Sequence, residues 1–187
     1  TLGVMALVLV LSVFNGSQGL QRERTLITVP HGDIQARPGF QDPAQAQALL
    51  AQVPGVAAVA PYVPVEALLS RRGYHQVTQV RAIDPALEQG VSPVENSMIS
   101  GSLADLAAGS NGIVIGRTLA ANLRLYPGDA VNLIVPQSNA ASNRVTLDMH
   151  RFTVTGIFDV QFDIGSDLAY IHLADVSPLL GTPPGSA

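Results

Sequence analysis

Residues 112–136 read GIVIGRTLAANLRLYPGDAVNLIVP, and this stretch decides the fold class. Ile113-Val114-Ile115 is a short β-branched run with no polar alternation, the pattern of a strand buried on both faces. Gly116 breaks it. Leu119, Ala120 and Leu123 then recur at three- and four-residue spacing, which places them on one face of a helix. Tyr126-Pro127-Gly128-Asp129 carries turn chemistry, and Ala130 to Val135 reads as a second strand. Strand, helix, turn and strand within 25 residues predict a domain in which helices sit between strands.

The same reading extends outward. Upstream, VAAVAPYVPVEALLSRRG (residues 56–73) reads as a strand interrupted by Pro61 and Pro64 that ends in a turn at Arg71-Arg72-Gly73, and YHQVTQVRAID (residues 74–84) alternates as the second arm of a hairpin. Residues 85–112 are dense in punctuation and predict loop and short helix. Further upstream, Asp42 and Pro43 suit the start of a helix that Gly55 ends, with Ala46, Leu49, Leu50 and Val53 as its buried stripe. TLITVPHGDIQA (residues 25–36) suggests a strand broken by Pro30. Downstream, QSNAASNRVTLDM (residues 137–149) is polar and predicts an exposed loop or hairpin tip. Residues 150–160 alternate as a strand. Leu168–His172 is a strand followed by a helix entered through Asp175 or Ser177. Seven or eight strands and three or four helices, with no repeat at solenoid spacing, predict an α+β fold.

The bulk numbers restrict the function. Of 187 residues 47% are apolar and only 13% charged, and the net charge is −4. Ten Lys and Arg form no basic stripe, and tryptophan is absent, so a nucleic-acid partner is not expected. With no cysteine there is no disulfide, thiolate metal site or Cys nucleophile. The opening run, Leu2 to Phe14, has no charge and one polar side chain, Ser12. Being apolar all round, it fits the C-terminal end of a transmembrane helix, a signal or anchor segment, or a helix inside a large core. The chain, which begins at Thr1, reads as part of a longer protein.

No constellation for chemistry stands out. His31, His75, His150 and His172 are far apart and lack ligand spacing. Neither G-x-G-x-x-G, G-x-x-x-x-G-K-[ST] nor G-x-S-x-G occurs. Asp159, Asp163 and Asp167 are spaced by four, but Phe162 and Ile164 interrupt them and no EF-hand pattern results. No catalytic residue, metal site or cofactor is expected. A binding or coupling module is the economical reading.

Seven segments, taken together and in order, resemble a known family: VLSVFNGSQGLQRE (10–23), VPHGDI (29–34), VPGVAAVAPYV (53–63), VRAIDP (80–85), residues 113–136, FTVTGIF (152–158) and LAYIHLADV (168–176). The chain is similar to the LolC/LolE permease subunits of the bacterial lipoprotein-releasing ABC transporter and, more distantly, to MacB-type permeases. VPQSNAAS (135–142) resembles the polar loop of LolE, and residues 137–150 lack the Pro-Met tip with which LolC captures the carrier LolA. The resemblance implies a bacterial inner-membrane subunit with four membrane helices and this domain in the periplasm. Residues 1–20 would be the end of the first membrane helix. Residues 25–66 and 150–187 would form a porter-like α/β subdomain, and 67–149 an inserted, mostly-β subdomain. It implies a partner permease, a separate LolD-type ATPase, the carrier LolA and a lipoprotein substrate. By position, Leu7, Leu11 and Phe14 would contact its acyl chains. A MacB-like efflux permease that exports a peptide or drug is the alternative.

Overall fold

The computed structural model describes residues 32–34, 43–139, 144–159 and 167–180. The opening run lies outside them, as do residues 25–31. Helix α1 spans Pro43–Leu50; β1 (Tyr62–Arg71) and β2 (Tyr74–Ile83) follow, then α2 (Pro85–Glu88), β3 (Met98–Ser100), β4 (Gly112–Gly116), α3 (Arg117–Leu123), β5 (Ala130–Asn139), β6 (Arg144–Phe158), β7 (Leu168–His172) and α4 (Val176–Leu180). Three short 3-10 turns, at Pro93–Ser97, Leu103–Asp105 and Leu173–Asp175, complete the described chain. Mixed strand directions with helices between them bear out the α+β expectation.

The strands pair in the order β3-β6-β4-β7-β2-β1-β5, and β5 pairs again with β6. Six strands therefore close into a barrel, with β3 as an added edge. Closure removes all but short edges. β6 makes this possible by serving two neighbours along its length. Arg144 to Thr153 pair with β5, and Thr153 to Phe158 pair with β4, with a register shift at Thr155. β4–β6 and β2–β7 are parallel, the other ladders antiparallel.

The segment 112–136 folds as its pattern predicts. β4 is buried throughout, and α3 buries Leu119, Ala120 and Leu123 against the barrel. Arg124 ends α3 in the left-handed region (φ 53°), and Leu125 donates its N–H to the Ala120 carbonyl. The Tyr126–Asp129 turn closes through the Asp129 carboxylate, which accepts from Tyr126 N–H at 2.8 Å. The other carboxylate oxygen pairs with Arg71 at 2.7 Å, and the Arg124 guanidinium lies 5.3 Å above the Tyr74 ring. The β1–β2 turn is thus tied to the end of α3. Arg72 and Gly73 both have positive φ (46° and 86°), the geometry whose twist suits a two-residue hairpin.

Alternation sorts the side chains into two cores. Val65, Ala67, Leu69, Val80, Val131 and Phe152 are among those filling the barrel. On the outer face, Val94, Leu103 and Leu106 from the segment between β2 and β4 cover Val114, Phe158 and Tyr170. The Phe158 and Tyr170 rings meet at 5.4 Å, tilted by 58°.

Two expectations change. The α1 stripe is not buried: Leu49 and Val53 are exposed, and no residue of Pro43–Leu50 is fully buried. Alanines and glutamines give this short helix too little apolar area to seat it. Asp42, its expected cap, lies outside the described residues. The strand expected over residues 56–70 begins only at Tyr62; residues 137–149 take the hairpin alternative, with β5 and β6 pairing through Pro136↔Leu147 to Asn139↔Arg144. The subdomain boundaries implied at 66/67 and 149/150 fall within β1 and β6, both of which run unbroken through the one sheet.

Candidate functional site

Inward residues alternate with outward ones along each strand, and the registers align an outward row. Val77 faces Leu68, Leu68 faces Ile134, and Ile134 faces Met149, crossing β2, β1, β5 and β6. Pro136 and Leu147 extend the row along the β5–β6 arm. Val77 is 70% exposed, Leu147 68% and Met149 62%. Single exposed apolar residues are ordinary, but a continuous row is the mark of a contact surface. Sequence reading missed it, because residues on four strands become neighbours only through the registers. In residues 137–149, Leu147 and Met149 at i, i+2 spacing were the available signal.

A polar cluster lies at the edge of the outer core. The Arg81 guanidinium sits 5.3 Å over the Tyr62 ring, and the Tyr62 hydroxyl donates to the Asp33 carboxylate at 2.8 Å. Tyr170 lies beside Arg81 by register. Asp84 caps α2 by accepting from Ala86 N–H, which sets Glu88 over this region, 7% exposed. Burial raises the Glu88 carboxyl above its ordinary 4.5, partly offset by the Arg81 charge. Burial likewise pushes Tyr170 up to about 12, so it stays a neutral phenol.

A carboxyl whose folded pKa lies above its unfolded value stabilises the fold when protonated. That contribution is complete below pH 4.5 and is lost as pH rises through the folded value. Glu88→Gln is therefore expected to raise stability at neutral pH and to flatten the decline above pH 4.5. Urea unfolding of both proteins across that range checks it; an unchanged slope overturns it.

The histidines do not assemble. His75 is exposed on β2. His150 lies inside β6, with Nε2 buried and unpartnered among the described residues. His172 uses Nδ1 to accept from Ala174 N–H at 3.0 Å, capping the turn before α4. No group of three or more His, Asp or Glu in metal-holding geometry occurs among the described residues. His31, Asp163, Leu7, Leu11 and Phe14 lie outside them. No described helix is long and apolar enough to cross a membrane.

The described residues thus define a closed α+β barrel that carries an apolar row on its outer face. The chain belongs to the MacB-like periplasmic core domain family, whose model matches residues 1–185. Its relatives bear out the LolC/LolE resemblance. It is 33% identical over 181 residues to the "Lipoprotein-releasing system transmembrane protein LolC" of Xylella fastidiosa, covering 96% of this chain and 44% of that protein. It is 26% identical over 188 residues to the LolE of Haemophilus influenzae, covering 98% and 45%. The chain thus spans less than half the length of these relatives. Among solved structures, the extracellular domain of the noncanonic ABC-type transporter YknZ from Gram-positive bacteria shares the fold. Its TM-score is 0.51 at 14% identity, covering 84% of this chain and 76% of that one.

Proposed function

We propose that this chain is the periplasmic domain of an inner-membrane permease subunit of the lipoprotein-releasing ABC transporter. It would help move outer-membrane lipoproteins from the inner membrane to the carrier LolA. The observation that carries the reading is the match to proteins named LolC and LolE along nearly the whole chain. ATP would be hydrolysed on a separate LolD-type subunit, and a second permease of the LolC/LolE type would complete the complex. The segment VPQSNAAS (135–142) and the lack of a Pro-Met pair in residues 137–150 are the grounds for a LolE-type role, in which the carrier would be reached through the partner; the higher identity is to proteins named LolC. Residues 25–66 and 150–187 would form the porter-like α/β part, and residues 67–149 the inserted, mostly-β part. Leu7, Leu11 and Phe14, at the end of the first membrane helix, would line the path of the acyl chains. Each buried CH₂ is worth about 0.8 kcal/mol, so extraction needs both an energy source and apolar surface on the way out. The row from Val77 to Met149 supplies such surface outside the membrane.

A photo-crosslinker at position 14 of the full-length subunit tests this reading. Lipoprotein adducts that disappear on ATP addition are the expected result. Adducts without any lipoprotein would sink it. A MacB-like efflux permease is the second reading, prompted by the name of the family; a peptide or drug adduct at the same position would select it.

A further inference from the structure

The barrel is not equally joined all round. β1–β2 and β5–β6 each have ten register pairs and β4–β7 has three between strands of five residues, but the ten-residue strands β1 and β5 share only three: Leu68↔Ile134, Leu69↔Leu133 and Ser70↔Asn132. The reason is written in the chain. Arg71 and Tyr74 flank the two-residue turn as a hydrogen-bonded pair, so odd residues of β1 bond to β2 and even ones face β5. At the other strand, Val154 donates to the Asp129 carbonyl and accepts from Gly128 N–H. That sets odd residues of β5 toward β6 and even ones toward β1. Continued past Leu68↔Ile134, the β1–β5 ladder would next bond Glu66 to Pro136, then Pro64 to Ser138. Each of those pairs contains a proline, which has no N–H to give. The two prolines face one gap from opposite sides and end the ladder there.

Helix α4 packs on β5 beside this gap. Val176 and Leu179 belong to the same buried cluster as Val65, Ala67 and Val135, and the Gln137 amide donates to the Leu179 carbonyl. Five residues cannot hold a helix without such packing. The turn leading into α4 also carries a cost. Asp175 is buried and accepts from Gly109 N–H at 2.8 Å, but its second carboxylate oxygen is buried with no partner among the described residues.

We propose that α4 is a removable plug over a seam built into the barrel. Withdrawal of Val176 and Leu179 opens the β1–β5 gap and bares the inward sides of Val65, Ala67 and Val135, while the other ladders hold. The device is a local opening, separate from global unfolding. It does not depend on the transport reading.

The 187 residues contain no cysteine, so single cysteines report cleanly. In the full-length protein, with any cysteine outside this chain replaced by serine, Ala67→Cys and Val135→Cys probe the seam. Val80→Cys, inside the barrel on β2, is the control. Labelling by N-ethylmaleimide under native conditions is expected to be at least about tenfold faster at the seam than at the control. Adding Gln137→Ala should accelerate both seam sites several-fold and leave the control unchanged. Equal rates at all three sites, or equal acceleration at all three, overturn the proposal. Amide exchange on the unsubstituted protein provides a reading free of folding defects. Exchange of α4 together with Leu68 and Ile134, whose amides face each other across the β1–β5 seam, before Thr78 and Val80, whose amides face β1 from β2, supports the plug; simultaneous exchange of both sets refutes it.

Discussion

Gly101→Ala is expected to destabilise the domain by about 3–5 kcal/mol, enough to leave little of an ordinary domain's stability. Gly101 has φ +70°, where an L side chain is strained by about 1–2 kcal/mol. A Cβ there would also lie 2.3 Å from the Thr155 carbonyl oxygen and 2.9 Å from the Gly156 Cα. Both are backbone atoms at the register shift of β6, so neither can swing aside as a side chain would. The substitution must push β3 and the turn after it off the barrel. Gly109→Ala provides the comparison: φ is +73° and a Cβ would meet nothing within 4 Å. It should show the strain alone, about 1–2 kcal/mol. Urea midpoints of the two variants measure the difference, and equal losses would show that the close approach to Thr155 does not matter.

Phe152→Ala is expected to cost a similar amount, about 3–5 kcal/mol. The ring is 1% exposed, faces Val131 across the β5–β6 ladder, and belongs to the barrel cluster. Truncation costs most where the surroundings cannot relax into the space. A closed sheet is such a place, because each wall strand is pinned by the two beside it. Leu147→Ala, five residues earlier on the same strand but on the exposed arm, should change stability by less than about 0.5 kcal/mol. Thermal or urea unfolding of both variants separates wall from arm. A Phe152 loss near that of Leu147 would mean that the barrel interior is not packed as described.

Where sequence reading succeeded, the signal was local. The β1–β2 hairpin was legible because Arg72-Gly73 sits between two alternating runs. Residues 112–136 were legible because each change of period is marked by glycine or proline. Closure of the barrel was not legible. It depends on β2 meeting β7, as Gln79 meets Leu168, and on β5 returning to β1, pairings that leave no mark in a window of a dozen residues. The buried stripe of α1 failed for a related reason: spacing shows which side chains share a face, not whether anything comes to cover it. The apolar row had no local signal on β1 or β2, where Leu68 and Val77 each look like ordinary strand residues. The proposed acyl-chain contacts of Leu7, Leu11 and Phe14 were drawn from resemblance alone, and their test is the crosslink at position 14.

The place of β7 sets an order of assembly. Leu168–His172 comes last among the strands as the chain is made, yet it lies between β2 and β4, and residues 168–171 are buried. Until the chain through His172 is present, both neighbours wait with open edges and an unfilled interior. A domain laid out this way closes only when that late strand arrives, and until then its unpaired edges are open to pairing with other chains.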